Sequence, residues 1–128
     1  MIVVDASAIV AILNKELNHQ PLVARLQAFD ERFISPVSTL EVAMALARKY
    51  VEPASIIDAY FQRLKIAIHP IDSEQAQWAR SAFLIYGKGR HLARLNLGDC
   101  FSYAAAKALD APLLYIGNDF GLTDVKTA

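Results

Sequence analysis

The chain carries one cysteine, Cys100, among 128 residues. No internal disulfide can form, and a lone thiol suits a reducing compartment. No apolar run reaches the roughly 18–20 residues that a membrane-spanning helix needs. The first residues, Met1-Ile2-Val3-Val4-Asp5, lack the basic start of a secretory signal. The expectation is a cytoplasmic protein without membrane association. Net charge is also missing: thirteen basic and thirteen acidic residues cancel, which argues against a general polyanion binder. The glycine fingerprints of P-loop and dinucleotide folds are absent, as are repeats, linkers and low-complexity segments. His19, His69 and His91 are scattered without ligand spacing and read as structural or surface residues. One stretch lacks acids altogether. Between Glu74 and Asp99 there is none, while Arg80, Lys88, Arg90, His91 and Arg94 all fall there.

What is abundant is apolar residues, at 55% against about 45–50% in ordinary domains. A parallel sheet covered on both faces accounts for such an excess, as does a surface buried against a partner. The length suits a single domain over 1–128.

Ile2-Val3-Val4 reads as a buried strand; Asp5-Ala6-Ser7-Ala8 follows, then Ile9-Val10-Ala11-Ile12-Leu13 reads as a helix, so Asp5 sits at a strand-to-helix junction. A second helix is expected over about 19–29, with Pro21 in its first turn. Arg32 to Ser35 reads as a strand stopped by Pro36. Ser38-Thr39-Leu40-Glu41 is expected to open a helix running to about Tyr50, broken at Glu52-Pro53. Further elements follow: a helix over 54–64, a strand over 65–69, and a helix from about Asp72 to near Gly87. After the loop Gly87-Lys88-Gly89-Arg90 come a helix led by Asn96-Leu97-Gly98-Asp99, a strand over 112–116 and a turn over 117–121. Strands alternating with helices predict an α/β fold: a three-layer α/β/α sandwich around a mostly parallel sheet. Ligands of such sheets bind beyond the carboxyl ends of the strands.

Asp5, Glu41 and Asp119 each follow a strand, and Asp99 reaches the same edge if its helix starts there. Clustered carboxylates must protonate or bind a cation: two charges about 5 Å apart repel by about 3 kcal/mol at an effective dielectric of about 20. All-oxygen ligands favour Mg²⁺ or Mn²⁺. Such an ion lowers the pKa of a bound water and steadies charge on phosphoryl oxygens. Each acid also has a plainer role open to it. Asp5 suits a helix N-terminus, Ser38-x-x-Glu41 is a capping-box pattern, Asp99 suits a first helical turn, and Asn118-Asp119 suits a turn.

These motifs resemble those of the PIN-domain ribonucleases. Ile2-Val3-Val4-Asp5-Ala6-Ser7-Ala8 is similar to the opening of that family, and Ser38-Thr39-Leu40-Glu41-Val42 to its second motif. Leu97-Gly98-Asp99-Cys100-Phe101-Ser102-Tyr103-Ala104 resembles the third. Leu113 to Phe120, followed by Thr123-Asp124-Val125, resembles the end of VapC-type toxins of bacterial toxin–antitoxin pairs. The resemblance spans nearly the whole chain. It implies a Mg²⁺- or Mn²⁺-dependent endoribonuclease acting on structured RNA, transfer RNA among them, with a small cognate antitoxin as partner and a homodimeric state. By motif match Asp5, Glu41, Asp99 and Asp119 become catalytic metal-site residues, with Ser7, Asn118 and Asp124 in support. Tyr50, Tyr60 and Phe61 fall where the family has its antitoxin and dimer surface, although core packing is open to them, as it is to Trp78 and Cys100. Arg80, Lys88, Arg90 and Arg94 form either an RNA-contacting rim or a solvated loop. Two other functions compete. A catalytically idle PIN-like RNA-binding module would show a lost acid, and none is lost. An Asp-based phosphotransfer domain often needs a second Asp two residues on, where this chain has Ser7.

Overall fold

The computed structural model describes residues 1–128. Its elements are β1 (Ile2–Val4), α1 (Ala6–Leu13), α2 (His19–Gln27), β2 (Arg32–Ile34), α3 (Pro36–Leu46), α4 (Pro53–Leu64), β3 (Ile66–Ile68), α5 (Ser73–Tyr86), α6 (Leu97–Ala108) and β4 (Leu113–Leu114), followed by a 3₁₀ turn at Phe120–Leu122. The four strands pair in the order β3-β2-β1-β4, all parallel. The three-layer sandwich expected from the sequence is the fold observed.

Strand alternation builds the two cores. Ile2, Val4, Ile34 and Leu114 face one layer, where they pack with α1, α2, α3 and α4. Val3 and Leu113 face the other, against α5 and α6. Crossover handedness explains the division. The chain steps β1 to β2 to β3 in one direction, and right-handed crossovers place those helices on one face. It then steps back over the sheet to β4, which places α5 and α6 on the other. The direction of winding therefore reverses beside β1, the position where open α/β sheets leave a crevice.

Several boundaries differ from the sequence expectation. Helix α3 begins at Pro36, not Ser38: Ser35 Oγ accepts from Val37 N at 3.3 Å, and Pro36 occupies the first turn. Proline's missing N–H costs nothing there, so the residue that ends the strand also opens the helix. The same helix stops at Leu46 rather than Tyr50, and α2 stops at Gln27. The strands shorten to Ile66–Ile68 and Leu113–Leu114, and the turn expected over 117–121 runs into the 3₁₀ turn at Phe120–Leu122. Tyr60 and Phe61 are core residues, buried with α4. Cys100 is also buried.

Candidate active site

Asp5 caps α1. Its backbone is extended (φ −82°, ψ 156°), and Oδ2 accepts from Ser7 N at 3.0 Å and Ser7 Oγ at 2.6 Å. Ser7 Oγ also accepts from Ile116 N at 3.1 Å, tying the end of β4 to the start of α1. Asp5 Oδ1 accepts from Ser102 Oγ at 2.5 Å. A carboxylate only 5% exposed thus has every bond directed at it as an acceptor. Asp5 does cap a helix, and it also faces a cleft.

That cleft has a volume of about 410 Å³ and is lined by Asp5, Ser7, Glu16, Glu41 and Asp99, with Val10, Ala45 and Ile116 among its apolar wall. A larger groove of about 510 Å³ between α1, α2 and α4 includes Leu13, Lys15, Tyr60 and Arg63 but no acid. Size therefore does not select the site; the concentration of carboxylates does.

Glu41 does not sit in a capping box. It belongs to the second turn of α3, and the serine three residues before it bonds elsewhere: Ser38 Oγ lies 3.0 Å from Ser102 Oγ. The capping box of this protein is at Asp99. Asn96 Oδ1 accepts from Asp99 N at 2.9 Å, and Asp99 Oδ2 accepts from Asn96 N at 3.0 Å. One oxygen of Asp99 is left for other work.

Gly98 decides how near Glu41 comes to α6. A Cβ on Gly98 would overlap the Glu41 carboxylate. Glycine in that first turn lets a carboxylate from α3 lie against the α6 backbone, next to Asp99.

The electrostatics record the crowding. Burial, then the charges of Asp5 and Asp99, push the Glu41 carboxyl from its ordinary 4.5 up to about 7. Burial, then Asp5 and Asp119, raise Asp99 to about 6 against the opposing pull of the Asn96 backbone. Acids that resist ionisation near neutral pH in a cleft are candidates for function. Their oxygen-only, negatively charged donors fit a hard divalent cation. No group of three or more forms a ready chelate, so the acids supply the donor chemistry without a closed cage. Asp5, Glu41 and Asp99 would hold the ion.

The remaining expected residues are placed as follows. Asp119 is exposed before the 3₁₀ turn and makes no capping bond; it acts on Asp99 through charge and lies outside the cleft lining. Asn118 is exposed beside Gly117, whose φ is 102°. Asp124 is engaged elsewhere: its Oδ1 accepts from Tyr103 Oη at 2.6 Å and its Oδ2 from Lys107 Nζ at 3.0 Å, which draws its carboxyl below the usual range. It braces α6 and is no part of the cleft. Arg80, Lys88, Arg90 and Arg94 are all exposed, and the chain's two ion pairs, Lys107–Asp124 and Lys126–Asp110, involve none of them. Arg90 Nε donates to Leu84 O at 2.8 Å, anchoring the loop to α5. Arg80 lines an apolar groove with Leu97, Cys100 and Phe101, beside the first turn of α6.

Sequence reasoning missed Glu16, Ser38 and Ser102. Glu16 lies in the loop after α1, between Lys15 and Asn18, both with left-handed backbone (φ 51° and 65°). No pattern in the sequence marks a loop acid as part of a cleft. Ser102 lies within the Leu97–Ala104 motif, but its partner is 97 residues away.

Comparison with known proteins shows the family and the fold. The PIN domain family model matches residues 2–126. A protein of Mycolicibacterium smegmatis named Ribonuclease VapC is 44% identical over 124 residues, covering 96% of each chain. Among solved structures, the Mycobacterium tuberculosis toxin VapC20, described as cleaving the sarcin–ricin loop, superposes with a TM-score of 0.78 at 18% identity, covering 100% of this chain and 98% of that one. A toxin–antitoxin complex from Klebsiella pneumoniae gives a TM-score of 0.74 at 15% identity, covering 100% and 97%. At those identities the two structures speak for the fold.

Proposed function

Since the chain belongs to the PIN-domain family, within its VapC ribonucleases, we propose that it is a Mg²⁺- or Mn²⁺-dependent endoribonuclease toxin with Asp5, Glu41 and Asp99 as its cation-holding residues. The observation that carries this reading is the cleft where those three carboxylates meet, with Glu41 and Asp99 held above their ordinary pKa by burial and by the charges of neighbouring acids. A bound divalent ion would neutralise that charge, acidify a water and steady developing negative charge on a phosphodiester.

The chain's own residues do the rest. Ser7 and Ser102 keep Asp5 as an acceptor. Gly98 lets Glu41 approach α6. Asp99 is fixed by its capping bond to Asn96 N and presents its remaining oxygen. Asp119 adds negative charge from the rim, with Asn118 beside it as a polar neighbour. Arg80, Lys88, Arg90 and Arg94 counter the repulsion between acids and RNA by contacting phosphates. The whole chain acts as one domain, and its activity is restrained by a cognate antitoxin, the kind of partner carried by solved neighbours. It works as a homodimer in the cytoplasm; no helix is long and apolar enough to cross a membrane. Structured RNA, transfer RNA included, is the substrate class.

The test is cleavage of a structured RNA by purified protein. Activity should vanish in EDTA and return with Mg²⁺ or Mn²⁺. Full cleavage in metal-free buffer would refute the reading.

A further inference from the structure

Two buried serines stand behind Asp5. Ser102 lies on α6, one turn beyond Asp99, and its Oγ donates to Asp5 Oδ1 at 2.5 Å. Ser38 lies on α3, one turn before Glu41, with its Oγ 3.0 Å from Ser102 Oγ. Both side chains are sealed from solvent at 0% exposure.

A serine hydroxyl has one proton to donate. Ser102 directs its proton to Asp5, so Ser38 must be the donor between the two serines. The chain of bonds runs in one direction, from Ser38 to Ser102 to Asp5. Each carboxylate oxygen has about two acceptor sites. Oδ2 of Asp5 is filled by Ser7 N and Ser7 Oγ. Oδ1 takes only Ser102, so one acceptor site remains.

We propose that Ser102, backed by Ser38, is a positioning residue that fixes Asp5 so that the open acceptor site of Oδ1 is held for a divalent cation. This rests on the cation-dependent reading of the cleft. The pair does a second thing. It joins α3 to α6 directly behind the cleft, one turn from Glu41 on the first helix and one turn from Asp99 on the second. It therefore sets the spacing of all three acids. If the serines only filled a polar gap between helices, their loss would lower stability and leave cation affinity alone.

The experiment is calorimetric titration of Mn²⁺ into the metal-free full-length protein, with melting temperature recorded for each sample. The samples are wild type, Asp5→Asn, Ser102→Ala, Ser38→Ala and the double serine variant. Outer partners of metal ligands typically govern about 10–100-fold in affinity. Ser102→Ala should therefore bind Mn²⁺ about tenfold more weakly while remaining folded. Ser38→Ala should lose less, and the double variant should match Ser102→Ala, because Ser38 acts through Ser102. Affinity within about twofold of wild type in Ser102→Ala overturns the inference, as do losses that multiply in the double variant. Should Ser102→Ala not fold, Ser38→Ala decides: weakened binding supports the inference and unchanged binding overturns it. A wild type that binds no Mn²⁺, or binds it indifferently to Asp5→Asn, overturns the cation reading as well. Binding that depends on Asp5 but not on Ser102 overturns this inference alone.

Discussion

Replacing Glu41 with glutamine should make the metal-free protein more stable. The Glu41 carboxyl titrates at about 7 in the fold against 4.5 when unperturbed. Between those values the folded state holds a proton that the unfolded state has released. Stability contributed by the neutral acid is thus present at low pH and is lost as pH rises from about 4.5 to about 7. At 1.36 kcal/mol per pH unit the full gap corresponds to roughly 3 kcal/mol. The side chain is half solvated, and screening reduces this to about 1–2 kcal/mol. Glutamine carries no charge, has a similar helix propensity and breaks no capping box, since Ser38 bonds to Ser102 instead. In EDTA, Glu41→Gln and wild type should melt together near pH 4. They should diverge above about pH 4.5, with the variant higher by about 1–2 kcal/mol at pH 8. That corresponds to roughly 3–8 °C for a domain of this size. Mg²⁺ should raise the wild-type melting temperature and leave the variant nearly unmoved. Urea unfolding across pH 4 to 8.5 measures the free-energy difference, and thermal unfolding at the same pH values measures the melting temperatures. A variant less stable than wild type at pH 8, or a difference that ignores pH, would refute the account of a crowded, partly dehydrated carboxylate.

Other expectations follow from the same geometry. Gly98→Ala should cost little stability, because the overlapping atoms belong to the mobile end of Glu41 and alanine favours the helix by up to about 1 kcal/mol. Displacing Glu41 should still cost about 100-fold in RNA cleavage, and wild-type rates would show that the close approach is incidental. Asp99→Asn should abolish cleavage while the fold survives, since an amide oxygen still accepts from Asn96 N; circular dichroism and a cleavage assay check both halves. Lys88→Ala, Arg90→Ala and Arg94→Ala combined should weaken RNA binding in an Asp99→Asn background and flatten its logarithmic salt dependence by about 0.7 per lost phosphate contact. Equal affinities at every salt concentration would leave that segment as a solvated loop.

The layered fold was legible because strand and helix patterns alternate along the whole chain. The order of the strands was not, since four runs such as Ile2-Val3-Val4 look alike until their helices choose a face. The start of α3 is ambiguous in the sequence for a concrete reason. Ser35 and Ser38 are both good capping residues, and Pro36 fits a strand end as well as a first helical turn. The choice was made by Ser102, which takes Ser38 away from any cap. The acids were visible through their motifs, and three of them share one cleft. Asp124 reads only as a supporting residue in sequence, and in the fold Tyr103 and Lys107 claim it.

The central strand has a consequence for how the protein is made. β1 leaves the ribosome well before its neighbour β4, which is more than a hundred residues later. Asp5 waits for Ser102, and Ser7 waits for Ile116. Such distant pairings form slowly and late. During synthesis the leading carboxylate is therefore an unassembled side chain on a strand without its partner. The bonds that fix Asp5 and Ser7 cannot form until residues 97–116 have emerged. The topology acts as a timer, and a circular permutant that brought residues 97–116 ahead of Met1 would complete Asp5's surroundings far earlier in synthesis.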